Sequence, residues 1–168
     1  MHSSMKTPLL LATLSLFSLG LLRSQAESTL TLEGVHNCCK KCETGILDAV
    51  KKVEGASATA EKGKVTITAK DDATAKKAAQ SLVANGYFGA GAEALAVTDA
   101  KVKAATVTGV HLCCAKCVTA VENAVKTVGG ASGHTATKGA TSFQVEGEFS
   151  TKELASALNK AGFSGSLK

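Results

Sequence analysis

The 168-residue chain has no tryptophan, one proline, one tyrosine and two methionines, and its aromatic content is 4%. With so few rings to stack on bases, and no block of like charge within a formal net charge of +5, nucleic-acid binding is not expected. The sequence also lacks H-E-x-x-H, G-x-S-x-G and a phosphate-cradling Gly-rich loop, and no carboxylate pair is fixed by its pattern. No enzymatic activity is therefore expected. Apolar runs of the roughly 20 residues that span a bilayer are missing too. What is present is a 45% hydrophobic, globular composition and six cysteines.

The amino end has the organisation of a secretory signal peptide. Lys6 precedes a largely apolar stretch over residues 9–22, followed by Arg23 and the small-residue pattern Ser24-Gln25-Ala26, with cleavage expected after Ala26. Localisation is thus expected to be secreted or periplasmic, and the mature protein is not expected to span a membrane. No cysteine lies near the cut, so a lipid anchor is not expected either.

The rest is a duplication. Residues 34–57 read GVHNCCKKCETGILDAVKKVEGAS and residues 109–132 read GVHLCCAKCVTAVENAVKTVGGAS, identical at 15 of 24 positions with a constant offset of 75. Residues 27–94 and 105–168 are read as two domains, and residues 95–104 as a short connector. In the first copy Thr29-Leu30-Thr31-Leu32 alternates as a strand does. Ile46, Ala49, Val50 and Val53 form a helical stripe, which Gly55 is placed to end. Ala58–Ala60 and Val65–Thr68 read as strands around a turn at Lys62-Gly63. A second helix, capped at Asp71 or Asp72, presents Ala75, Ala78, Ala79 and Leu82 and closes at Asn85-Gly86 before Tyr87-Phe88. The second copy repeats this order, with Val107 in a strand, Val121, Ala124, Val125 and Val128 on a helix, Phe143 and Val145 in a strand, a helix over residues 152–160 and a last strand over 163–167. The expected fold class is α+β: two tandem ferredoxin-like β-α-β-β-α-β sandwiches.

Each copy places three cysteines between its first strand and first helix: Cys38-Cys39-Lys40-Lys41-Cys42 and Cys113-Cys114-Ala115-Lys116-Cys117. A C-x-x-C opening a helix lets two sulfurs converge where free backbone N–H groups and the helix dipole favour negative charge. Such surroundings lower thiol pKa values, and soft thiolates select soft ions, Cu(I) first, with Hg(II) or Zn(II) as alternatives.

These residues resemble the heavy-metal-associated domain family of copper chaperones, copper-transporting ATPase amino-terminal modules and periplasmic mercury-binding proteins. The resemblance rests on the strand leading into G-V-H-x-C-C-x-x-C, on Ala49-Val50 with Val53 and Gly55, and on Asn85-Gly86-Tyr87 and Ala161-Gly162-Phe163. It implies metal ligation by Cys39, Cys42, Cys114 and Cys117, with Tyr87 and Phe163 beside the sites. Three departures stand out. Asn37 and Leu112 occupy the family's usual Met position, Cys38 and Cys113 its usual Thr or Ser, and His36 and His111 its usual Gly. Cys38 and Cys113 read either as third sulfur ligands or as redox partners, Cys38 with Cys42 or between copies. His36 and His111 read either as solvated loop residues or as imidazoles close to the metal. His134, in an expected hairpin, reads as surface.

The function so expected is sequestration or relay of a soft ion outside the cytosol by ligand exchange at exposed thiolates. It involves a metal-donor or metal-acceptor protein, and exposed sites would also permit a metal-bridged dimer. The alternative is a thiol-disulfide protein, since cysteines of secreted chains ordinarily pair. Three cysteines crowded within five residues of each copy, with no Trp or Pro beside the C-x-x-C, weigh against it.

Overall fold

The alternation of leucine and threonine after residue 28 becomes β1 (Ser28–Val35), in which Leu32 is buried, Leu30 is half-buried, and Thr29 and Thr31 are exposed. This strand belongs to a computed structural model that describes residues 27–168; the signal-peptide reading over residues 1–26 lies outside the described residues. Next come α1 (Lys40–Lys51), β2 (Ala56–Glu61), β3 (Gly63–Ala69) and α2 (Asp72–Ala84). The second half holds β4 (Lys101–Thr108), α3 (Ala115–Lys126), β5 (Ala131–His134), β6 (Ser142–Ser150), α4 (Thr151–Lys160) and β7 (Ser166–Leu167). The result is a mixed α+β architecture of two antiparallel sheets and four helices, ordered β1-β3-β2 and β5-β6-β4-β7. β4 begins at Lys101, inside the stretch read as connector. Among the described residues no helix is long and apolar enough to cross a membrane.

Register aligns the apolar face of each sheet under its helices. Leu30 and Leu32 lie opposite Ile67 and Val65, and Ala105 and Val107 opposite Val145 and Phe143. Onto these faces pack Ile46, Ala49 and Val50 of α1, the Ala75, Ala78, Ala79 and Leu82 stripe of α2, and Val121, Ala124, Val125, Leu154 and Leu158 of α3 and α4. α1 and α2 are also tied by Ser81 Oγ donating to the Ala49 carbonyl at 2.6 Å.

Two sequence expectations need correction. α1 ends at Lys51, and Gly55 (φ 79°) instead makes the turn into β2. The first half also lacks the expected closing strand. Only a single bridge, Glu33 with Ala90, stands where β7 stands in the second half. The physical reason lies in Gly89 and Gly91: a Cβ at Gly89 would come within 2.6 Å of Val35 Cγ2, and one at Gly91 within 2.8 Å of the Thr31 carbonyl. The segment can cross β1 this closely only because it has almost no side chains, and it therefore has little to contribute to a pleated ladder.

Instead, the residues after α2 reach the other half. Tyr87 bridges Phe163, Phe88 N–H donates to the Gly162 carbonyl at 3.0 Å, and Ser164 N–H donates to the Gly86 carbonyl at 3.1 Å. His36 N–H also donates to Gly162 O, at 3.3 Å. Gly86 and Gly162 have φ near +90°, and a Cβ on either would sit 2.5 Å from His111 N or 2.3 Å from His36 N. Each half thus seats its late glycine against the backbone just before the cysteines of the other.

This seat predicts a graded response. Gly139 has the same backbone (φ +85°) and open space around its missing Cβ, whereas Gly162 (φ +86°) does not. Gly139→Ala should cost only the left-handed strain, about 1–2 kcal/mol. Gly162→Ala should cost about 1–3 kcal/mol more, as overpacking against the other half's backbone. Urea unfolding of the two variants checks this, and equal losses would mean that the halves are not docked here.

Candidate metal centre

α2 and α4 open conventionally: Asp71 accepts from Thr74 N–H at 2.7 Å, and Ser150 Oγ accepts from Glu153 N–H at 3.2 Å. α1 and α3 do not. Their N-cap residues are Cys39 and Cys114, in extended conformation (φ −161° and −149°), and neither sulfur closes a hydrogen bond of ordinary capping geometry. The first-turn N–H groups of these two helices are left facing sulfur, and both helix entrances point at one place.

There the six cysteines form one group. Within the halves, Cys38 and Cys39 each lie 3.7 Å from Cys42, and Cys113 and Cys114 lie 3.8 and 3.6 Å from Cys117. Across the halves the approaches are as close or closer: Cys38 to Cys114 and Cys42 to Cys113 at 3.4 Å, Cys39 to Cys113 at 3.6 Å, Cys38 to Cys117 at 3.8 Å, and Cys42 to Cys117 at 3.9 Å. All six are free thiols. Cys42 and Cys117 are wholly buried, and the other four are half-buried. Of the thiolates expected to be exposed in each copy, Cys42 and Cys117 are fully covered in this closed arrangement, while Cys39 and Cys114 stay partly accessible.

The surroundings split the thiols into two kinds. Backbone N–H of Cys42, with the Cys113 and Cys42 thiols, holds Cys39 below the ordinary thiol range against the opposing effect of burial. At Cys114 burial pushes up, but N–H of Cys117, the Cys38 and Cys117 thiols and N–H of Lys116 together bring it down to about 6. Burial, then thiol neighbours across and within the halves, pushes Cys38 and Cys113 far up. Cys117 is raised to about 11, by burial first and by Cys42 after it. The low-pKa thiols are the two N-caps, where the helix entrance favours a thiolate, and each lies beside a high-pKa thiol that can donate to it.

His36 stacks on Phe163 with centroids 4.4 Å apart, and His111 packs against Tyr87 at 4.7 Å, each pair spanning the two halves. A ring nitrogen of His36 lies within 4.8 Å of the Cys38 and Cys117 sulfurs. His36 Nε2, His111 Nε2 and the Tyr87 hydroxyl are buried without hydrogen-bond partners. Burial lowers both imidazole pKa values, helped at His36 by His111, and raises that of Tyr87. The two histidines are therefore half-buried walls of the cysteine group, and the solvated-loop alternative does not describe them. The Tyr87 hydroxyl fits because Gly45 has no side chain: a Cβ there would stand 2.3 Å from it.

The structure therefore brings together Cys38, Cys39, Cys42, Cys113, Cys114, Cys117, His36, His111, Tyr87 and Phe163. Leu112 is buried in the core, and Asn37 meets its polar need by donating to the Glu61 carbonyl at 3.2 Å. His134 lies apart at the end of β5, where its Nδ1 accepts from Ala136 N–H. Sequence reasoning missed the docking itself, the place of Gly45, and the seating role of Gly86 and Gly162, which it named only as helix-closing and motif residues.

No family model and no curated protein matches the chain. Among solved structures it is similar to the solution structure of the N-terminal soluble domains of Bacillus subtilis CopA, with 17% identity over 86% of this chain and 95% of that one, and a TM-score of 0.33.

Thiol reactivity should follow the ionisation pattern, since the thiolate is the nucleophile. At pH 7 without metal, iodoacetamide should modify Cys114 and Cys39 before Cys38, Cys113 or Cys117, as read by peptide mass mapping. The Cys114 rate should fall as pH drops through about 6, where its thiolate takes up a proton. Early labelling of Cys38 or Cys113 would reverse the assignment.

Proposed function

We propose that this chain is a non-enzymatic, extracytoplasmic metal-binding protein, two tandem ferredoxin-like units of the heavy-metal-associated type, which sequesters a soft ion, Cu(I) in the first place. The observation that carries this reading is the convergence of six unbonded thiols at two uncapped helix entrances, with approaches of 3.4–3.9 Å. Soft, polarisable sulfur in this number suits soft ions, Cu(I) in the first place with Hg(II) as an alternative, and less exclusively Zn(II). Nearby polar groups fit a charged occupant, since the orphaned imidazole nitrogens are potential donors to thiolate sulfur. The signal-peptide pattern of residues 1–26 supports a site outside the cytosol.

Burial favours holding over rapid delivery. Ligand exchange needs an incoming thiolate to add to the bound ion before an old ligand leaves, and two of the six sulfurs here are fully covered. A donor or acceptor protein would reach the metal by parting the halves. The cysteines that a metal-bridged dimer would share face one another within a single chain.

The redox alternative keeps one supporting observation: Cys114, at about 6, lies 3.4 Å from Cys38, a thiolate beside a thiol. Thiol counting on protein taken from its native compartment separates the two, because stable bridges without metal favour the disulfide reading.

The reduced chain, titrated with Cu(I) against a competing chelator, should take up at least two equivalents. Replacing both Cys42 and Cys117 with Ser should remove the chelator-resistant binding. Full retention in that double variant would defeat the assignment.

A further inference from the structure

If the chain holds Cu(I) as proposed, the arrangement of its sulfurs also fixes how many ions it holds. The sulfurs do not divide into two sets of three. The nearest sulfur to Cys38 is Cys114 at 3.4 Å, closer than Cys42 of its own half at 3.7 Å. The nearest to Cys113 is Cys42 at 3.4 Å, closer than its own Cys117 at 3.8 Å. To the approaches below 4 Å given above are added Cys38–Cys39, Cys39–Cys114 and Cys113–Cys114, each within 4.8 Å. The pairs for which no such approach is found are Cys38–Cys113, Cys39–Cys117 and Cys42–Cys114, so each sulfur has one opposite. Six points connected in this way are the corners of an octahedron.

We infer that the six cysteines form a single polynuclear site for four Cu(I) ions, each held by three sulfurs, with every sulfur bridging two ions. The alternate faces of the octahedron are Cys38-Cys39-Cys42, Cys39-Cys113-Cys114, Cys42-Cys113-Cys117 and Cys38-Cys114-Cys117. The first three are recognisable as close triads, and the fourth has edges of 3.4, 3.6 and 3.8 Å. A metal–thiolate bond of about 2.3 Å, the zinc value, puts three ligands around one ion about 4.0 Å apart and two linear ligands about 4.6 Å apart. The C-x-x-C pairs, at 3.7 and 3.6 Å, match the trigonal arrangement. No four sulfurs are recognised as one mutually close set, so the thiols by themselves present triads and not a four-sulfur tetrahedron. Six thiolates against four monovalent cations leave two negative charges, which face the entrances of α1 and α3. The protons of the bound thiols leave to solvent on loading, and no electron is transferred.

Cys38 and Cys113 are indispensable to this geometry. The other four sulfurs form a ring in which no three are mutually adjacent, so every trigonal face includes Cys38 or Cys113. Native mass spectrometry of the reduced full-length mature chain during Cu(I) titration, with X-ray absorption at the copper edge, tests the inference. Expected are a dominant four-copper species on a single chain, reached with few intermediates, three sulfurs per copper and a copper–copper vector. Replacing both Cys38 and Cys113 with Ser, which keeps both C-x-x-C pairs, should abolish the four-copper species. Saturation at two coppers per chain without copper–copper scattering would overturn the polynuclear site and leave the metal-binding function standing. Four coppers found only on paired chains would overturn it likewise. No chelator-resistant Cu(I) binding at all would defeat the function itself.

Discussion

The structure depends on the contact between two helix entrances that leave their backbone N–H groups without an oxygen cap and turn them toward sulfur. Elsewhere in the same chain Asp71 and Ser150 cap their helices in the ordinary way. Where the cap is cysteine, the positive end of the helix acts on a thiol, and the cost of an open helix start is offset by ionisation of that thiol. Bringing two such ends together would be repulsive if every sulfur were charged. The chain sets each low-pKa N-cap thiol beside a high-pKa partner, Cys39 with Cys113 and Cys114 with Cys38, so that a thiolate faces a thiol and not a second thiolate.

That contact is fixed at a few defined places. The first and second halves meet through the bridge of Tyr87 with Phe163, a few backbone hydrogen bonds around Gly86 and Gly162, and two ring pairs that exchange partners between halves. A seat of this kind is specific, because it tolerates no Cβ at either glycine. If the six thiols hold a metal as proposed, an ion bound across the seat helps to hold the halves closed, since binding to the docked state alone stabilises that state by an amount that grows with the logarithm of ligand concentration. Loading and closure become one equilibrium, and release requires opening. On the proposed function, retention is the default behaviour of the closed form, and delivery would depend on a partner able to compete for sulfur while the halves part.

Much of this was legible in the sequence. The 75-residue offset, the period switches and the capping residues locate the helices and most strands, because those signals are local: apolar spacing, an Asp or Ser before a helix, an Asn-Gly after one. The cysteines and their place at a helix entrance are local as well. The missing closing strand of the first half was not legible, because Gly89 and Gly91 act through close approach to β1, a distance that no periodicity encodes. Nor was the joining of the two sulfur sets. Repetition of G-V-H-x-C-C-x-x-C is equally compatible with two separate sites, and nothing in Gly86 or Gly162 announces which backbone it will rest against. Asn37 marks the same limit from the other side. As a replacement for an apolar residue it casts doubt on the packing below the first site, yet it is satisfied by the Glu61 carbonyl, 24 residues away.

The feature of each cysteine loop with the largest consequence is the residue before its C-x-x-C. Two facing C-x-x-C pairs would supply four sulfurs in a ring, Cys39, Cys42, Cys117 and Cys114 in order around it, with Cys39 opposite Cys117 and Cys42 opposite Cys114. Such a ring has edges but no closed triad, and it suits ions held by two sulfurs. Placing Cys38 above the ring and Cys113 below it turns every edge into the side of a three-sulfur face. One side chain per half, set immediately before the N-cap and lying 3.4 Å from a sulfur of the other half, raises the number of sulfurs that can meet at one point from two to three. The same change explains why docking and cysteine content belong together. Without the seat at Gly86 and Gly162, Cys38 and Cys113 would be extra thiols on separate loops, and without them the seat would bring together pairs that have no need to meet.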